Sequence, residues 1–136
     1  DLAGAELLAD ADLILPVPLY PTRLWHRRFN QSAMLAIALG RLSNVPVDCF
    51  ILRRVRRTAS QVGLTASQRR RNVAGAFRVE KGRAPELKAK KLLVVDDVIT
   101  TGATAEACAR VLKRSGAARV DILALARAVE PAAFVL

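Results

Sequence analysis

A chain of 136 residues, 52% hydrophobic and 25% charged, is long enough for one packed core and too apolar to stay disordered. No apolar run approaches the ~18 residues needed to span a bilayer, no signal-peptide pattern is seen, and Cys49 and Cys108 lie far apart in apolar segments, as core residues rather than zinc ligands or a disulfide. The 22 basic residues exceed the 12 acidic ones by ten, which calls for an anionic partner such as nucleic acid, a membrane surface or a polyphosphorylated small molecule. A soluble, cytoplasmic domain is the expectation.

Leu2 to Ala11 reads as a short Ala-rich lead before a single domain. Asp12 to Leu19 (DLILPVPL) is an apolar run closed by Pro16 and Pro18, a short buried strand. A basic loop with Arg23, His26, Arg27 and Arg28 follows, and Asn30 can cap a helix reaching Arg41 or Leu42. Met34, Leu35, Ile37, Ala38, Leu39 and Leu42 give that helix a broad apolar face, expected to lie on a sheet. Val47 to Leu52 is the next strand. From Arg53 to Asn72 the chain is rich in arginine (53, 54, 56, 57, 69, 70 and 71), carries no acid and contains Gly63. Its polarity predicts a long loop, unusual in a compact domain and often functional.

Ala76 to Val79 is a short strand, Lys81 to Ala89 a surface connection, and Leu92 to Val95 a strand buried on both faces. Ala103 to Ser115 is a helix with Ala107, Cys108, Val111 and Leu112 inward; Glu106 comes early, Arg110, Lys113 and Arg114 come late, and Gly116 ends it. Val120 to Ala126 is the last strand. Apolar strands alternating with helices predict an α/β fold with a parallel sheet covered on both sides. In such sheets ligands bind at the carboxyl ends of the strands.

The chemistry concentrates in Leu92 to Thr104, LLVVDDVITTGAT. Thr100, Thr101, Gly102, Ala103 and Thr104 lie between a strand and a helix start, where N–H groups and the helix dipole favour a phosphate. Asp96 and Asp97 repel phosphate but can accept hydrogen bonds from vicinal hydroxyls or help hold a divalent ion. A sugar phosphate satisfies both halves. No G-x-x-x-x-G-K-[ST] and no G-x-G-x-x-G is present, which removes the P-loop and dinucleotide readings.

This stretch resembles the phosphoribosyl-pyrophosphate (PRPP) motif of type I phosphoribosyltransferases. PVPLYPTRLWHRRFNQ (16–31), QVGL (61–64) and RRRNVAGAF (69–77) resemble the ComF-like branch of that family. The resemblance implies a three-layer α/β/α fold over 1–136, with 1–11 as the lead. Thr100 to Thr104 would hold the 5-phosphate, and Asp96 and Asp97 the ribose hydroxyls, touching Mg2+ only through PRPP and water. The loop from Leu19 to Arg28 would take the pyrophosphate, with Arg23 and Arg27 as its cations. The segment from Arg56 to Asn72 would close over the reaction centre, and Arg56 and Arg57 would be catalytic by neutralising the departing pyrophosphate.

Thr100 stands where several purine-salvage relatives carry an acid, so a purine acceptor is disfavoured. The other implied reading is a PRPP sensor or a competence module without turnover. Its partners would be single-stranded DNA or a competence helicase, with a homodimer also expected and no membrane. Members of this branch often carry an N-terminal zinc-binding segment that has no counterpart in these 136 residues. The chain is therefore expected to be the C-terminal part of a longer one.

Overall fold

The computed structural model describes residues 2–19, 30–56, 63–99 and 102–127. Helix α1 (Leu2–Asp10) leads into β1 (Leu13–Pro16), α2 (Gln31–Ser43), β2 (Leu52–Arg54), α3 (Ala66–Val73) and β3 (Phe77–Val79). A 3-10 turn at Ala84–Leu87 precedes β4 (Lys91–Ile99), α4 (Ala103–Arg114) and β5 (Arg119–Arg127). No helix among the described residues is long and apolar enough to cross a membrane.

The main sheet is parallel, in the order β1-β4-β5. Its central strand explains the apolar run: successive residues face opposite sides, and both sides are covered. Leu92 and Val94 join Leu15, Cys108 and Leu112 on one face. Leu93 and Val95 join Ile14 and Ala36 on the other, with Leu7 and Leu8 of α1 and Leu35 and Leu39 of α2 packed against them. Helices on both faces of the sheet make the expected three layers.

Three expectations are corrected. Strand β2 does not occupy Val47 to Leu52. Val47 makes only an isolated parallel bridge to Ile14, and the Asp48 carboxylate then accepts the N–H groups of Phe50 (2.9 Å) and Ile51 (3.0 Å). That local bonding turns the chain, so β2 starts at Leu52 and pairs antiparallel with β3.

The arginine-rich stretch is not one long loop either. Arg53 and Arg54 belong to β2, and a capping box opens α3: Thr65 Oγ1 accepts the Gln68 N–H (3.1 Å) and Gln68 Oε1 accepts the Thr65 N–H (2.8 Å). The T-x-x-Q signal for this start is in the sequence. What hides the helix is its shortage of apolar residues, since its buried positions are Arg69 and Val73.

On α2 the residues turned fully inward are Ser32 and Ala36, while Met34 and Leu42 are 58% and 82% exposed. Small side chains let this helix sit close to its neighbours; a Cβ on Gly40 would run into Val47. Asn30 caps it as expected, and Asn44 ends it at φ 60°.

Arg83 ties the Asp48 turn to the 3-10 turn. Its guanidinium donates to both Asp48 carboxylate oxygens and to both Glu86 oxygens (2.8 Å each). These bonds, with the Phe50 and Ile51 N–H groups, hold the Asp48 carboxyl below its usual 3.8. Arg83→Ala is expected to destabilise the fold, because it removes all four of these charged hydrogen bonds at once. A carboxyl lowered in the folded state stabilises above about pH 4, and that contribution fades as pH falls through the lowered value. Urea unfolding at pH 7 and pH 3 should therefore show a large gap between wild type and variant that narrows in acid.

Candidate ribose-phosphate site

Three elements converge at the carboxyl end of the sheet. Asn30 accepts the Ala33 N–H (3.2 Å) as the cap of α2, and its Nδ2 donates to the Val17 carbonyl (3.1 Å). The start of α2 is thereby stapled to the end of β1. Two residues on, Ser32 is 5% exposed. Its hydroxyl donates to Asp96 Oδ1 (3.4 Å) and accepts the Asp97 N–H (3.2 Å).

The acids are part of the strand rather than a loop beyond it. Strand β4 runs past the expected Val95 to Ile99 because β5 keeps pairing with it, Asp96 opposite Ala124 and Val98 opposite Ala126. Asp97 Oδ1 accepts the Val98 N–H (2.9 Å). Burial, and then the Asp97 carboxylate alongside, push the Asp96 carboxyl up from 3.8 to about 6. The site thus stores like-charge repulsion that a hydroxyl donor or a cation would relieve.

Gly102 starts α4 at φ 83°, in the left-handed region, with no side-chain cap. A Cβ there would meet nothing within 4 Å, so backbone conformation and not crowding calls for glycine. Thr104, in the first turn of α4, lines a cleft of about 170 Å3 with Asn30, Ser32, Asp96, Asp97 and Arg54. The positive end of the α4 dipole therefore lies at the same cleft as the two acids.

Of the residues picked from sequence, the structure gathers Asp96, Asp97, Gly102, Ala103 and Thr104 at this end of β4. Arg56 is elsewhere: it donates to the carbonyls of Asn72 (2.7 Å) and Ala74 (2.6 Å) and holds the end of α3. Arg23, Arg27, Arg57, Thr100 and Thr101, together with Trp25 and His26, fall outside the described residues.

Arg54, Ser32 and Asn30 were not picked as site residues. Arg54 points into the cleft because β2 alternates: Leu52 is buried, Arg53 turns out to Glu80 (3.2 Å), and Arg54 turns in. Its guanidinium lies 5.3 Å from the centre of the Phe77 ring, a cation–π placement. The alternation was legible once the segment is known to be a strand. Ser32 was hidden by its place in an apolar helix. Cys49 and Cys108 are free, and burial raises the Cys108 thiol, which acts as core.

The phosphoribosyl transferase domain family model matches residues 32–134. Competence protein F of Haemophilus influenzae is 38% identical over 117 residues, covering 86% of this chain and 51% of that protein. DNA utilization protein YhgH of Escherichia coli O157:H7 is 41% identical over 116 residues, 85% of this chain and 49% of that one. The chain spans about half the length of these curated relatives. Among solved structures, the glutamine PRPP amidotransferase of B. subtilis superposes with a TM-score of 0.57 at 18% identity, over 88% of this chain and 24% of that one; this likeness speaks for the fold. With the domain model spanning most of its length and relatives near 40% identical along it, the protein belongs to the type I phosphoribosyltransferases, in their ComF-like branch.

Proposed function

We propose that the cleft binds PRPP with Mg2+ and that the domain transfers its phosphoribosyl group to a nitrogen nucleophile. The observation that carries this is one cleft shared by two adjacent carboxylates and the glycine-led start of a helix. The ribose hydroxyls would donate to Asp96 and Asp97, compensating the burial and the neighbouring carboxylate that raise Asp96. The 5-phosphate would sit on Thr100 to Thr104. The nitrogen's lone pair would form the bond to C1 as the C1–O bond to pyrophosphate breaks; pyrophosphate would leave with the electron pair of the broken bond, and the proton shed by the nitrogen would pass to water. Arg54, with Arg23, Arg27 and Arg57, would supply positive charge to the leaving group.

The residues fit Mg2+ as a shared ion. They offer hard carboxylate oxygens, but no group of three or more metal-binding side chains exists among the described residues. Substrate and water oxygens would complete the shell, as that ion prefers. When bound, the ion would neutralise charge developing on pyrophosphate. The two free cysteines suit a reducing, cytoplasmic setting.

A second reading is a PRPP-binding module without turnover, tied to DNA use. It is favoured by the place of Arg56, which grips α3 rather than facing the cleft, and by the names its relatives carry, competence protein F and DNA utilization protein.

Calorimetric titration of PRPP with Mg2+, then with EDTA, beside Asp96→Asn/Asp97→Asn, tests the site itself. Heat that needs both the ion and the acids supports it; no heat from a folded domain would sink it. Pyrophosphate release with a panel of nitrogen nucleophiles then separates transfer from binding alone.

A further inference from the structure

On another side of the molecule a groove of about 480 Å3 runs between β3 and the C-terminal half of α4. A hollow of about 150 Å3 continues it toward α3, and Gly75, Phe77, Val111 and Arg114 border both. Phe77, Arg78 and Val79 all line the groove, although successive strand residues point to opposite faces. The groove therefore follows the edge of β3.

Among the described residues that edge is open: β2 and β3 form a sheet of two strands, and β3 is paired on one side only. The Glu80 N–H bonds the Ile51 carbonyl (2.7 Å) and the Val55 N–H bonds the Ala76 carbonyl (2.8 Å). With the alternation of an antiparallel ladder, these bonds and the register turn the Arg78 main chain toward β2 and those of Phe77 and Val79 away from it. No other described element bonds them.

The chemistry of the walls is mixed. Phe77 and Val111 make an apolar floor, and Arg78, Lys81 and Arg114 stand on the rim. Among the described residues these three side chains make no ion pair, whereas Arg70 and Arg110 beside the hollow are both taken up by Glu106 (3.6 and 2.8 Å). An open strand edge, an apolar floor and three uncommitted cations define one kind of occupant.

We propose that this groove docks an acidic, extended segment of a partner protein, added as a third strand beside β3. Its main chain would pair with Phe77 and Val79. Alternate apolar side chains would lie against Val111, with Phe77 buried beneath, and the carboxylates between them would meet Arg78, Lys81 and Arg114. A nucleic-acid strand would use the cations alone: it has no main chain to match the edge, and Phe77 is 4% exposed with Arg54 against its ring, leaving no face for a base. The proposal is independent of what the ribose-phosphate cleft binds.

A fluorescein-labelled peptide of alternating glutamate and valine, titrated with the whole chain and followed by polarisation, tests it. The expected result is saturable binding, at least ten-fold weaker in Arg78→Glu/Arg114→Glu. Hydrogen exchange should slow at the Phe77 and Val79 amides of the wild type when peptide is added. If the double variant melts early, Lys81→Glu, on an exposed turn, gives a smaller loss of the same sign. Three outcomes would overturn the proposal: no binding, binding indifferent to these substitutions, or protection placed elsewhere. Displacement of the peptide by an equal concentration of oligothymidylate would assign the groove to nucleic acid and overturn it as well.

Discussion

Asp96→Asn is expected to raise the melting temperature at pH 7.5 while weakening PRPP binding about 10- to 100-fold, the worth of hydrogen bonds to a charged acceptor. Both effects have one origin. The folded protein holds the Asp96 carboxyl near 6 against an ordinary 3.8, through burial and the neighbouring Asp97. An acid raised in this way binds its proton more tightly folded than unfolded. Its stability is therefore full below about pH 4, declines as pH rises to about 6, and stays reduced above. For an enclosed carboxylate the reduction would be about 3 kcal/mol; Asp96 is only half-buried, which lowers it to about 1–2 kcal/mol.

Asparagine keeps the acceptor for the Ser32 hydroxyl and removes the charge. Melts of both proteins should converge near pH 4 and separate by pH 6, the variant on top. Calorimetry at pH 7.5 should show the loss of PRPP. A variant that melts lower at every pH would mean that the carboxylate is structural and not held for a ligand.

Leu112→Ala is expected to cost about 3 kcal/mol, lowering the melting temperature by roughly 10 °C. Leu42→Ala should move it by no more than about 0.5 kcal/mol. Leu112 is fully buried beside Cys108 beneath the main sheet, whereas Leu42 is 82% exposed. Urea unfolding of the two variants compares one leucine near the end of each of the two longest helices. A large loss from Leu42→Ala would mean that the outward face of α2 is covered in solution.

The same contrast shows what could be read from the chain. In α4 the apolar residues keep to one stripe, separated by Glu106, Arg110, Lys113 and Arg114, so its inward face was legible. In α2 apolar residues surround the helix, and periodicity cannot say that Ser32 and Ala36 are the ones turned inward. The acids of the site were plain from their setting after four apolar residues, as was the glycine start of α4. That the acids lie within a strand was not legible, because pairing with β5 overrides the low strand propensity of Asp. Arg54 shows the same dependence on context: its direction follows from β2 pairing with β3, a contact between residues far apart in the chain.

Arg56 carries a different consequence. Arg54 is paired with Phe77 across β2 and β3, and Arg56 reaches two residues further, to Asn72 and Ala74. The chain is thus fastened at Arg56 and again at Asn72 and Ala74, on both flanks of a stretch that includes residues 57–62. In polymer terms the ends are already joined, and doubling the length between them would add only about 0.6 kcal/mol of closure entropy. Descendants of this chain can lengthen, shorten or rewrite that segment without disturbing the sheet or the acids at its edge. The segment's length is thereby uncoupled from folding.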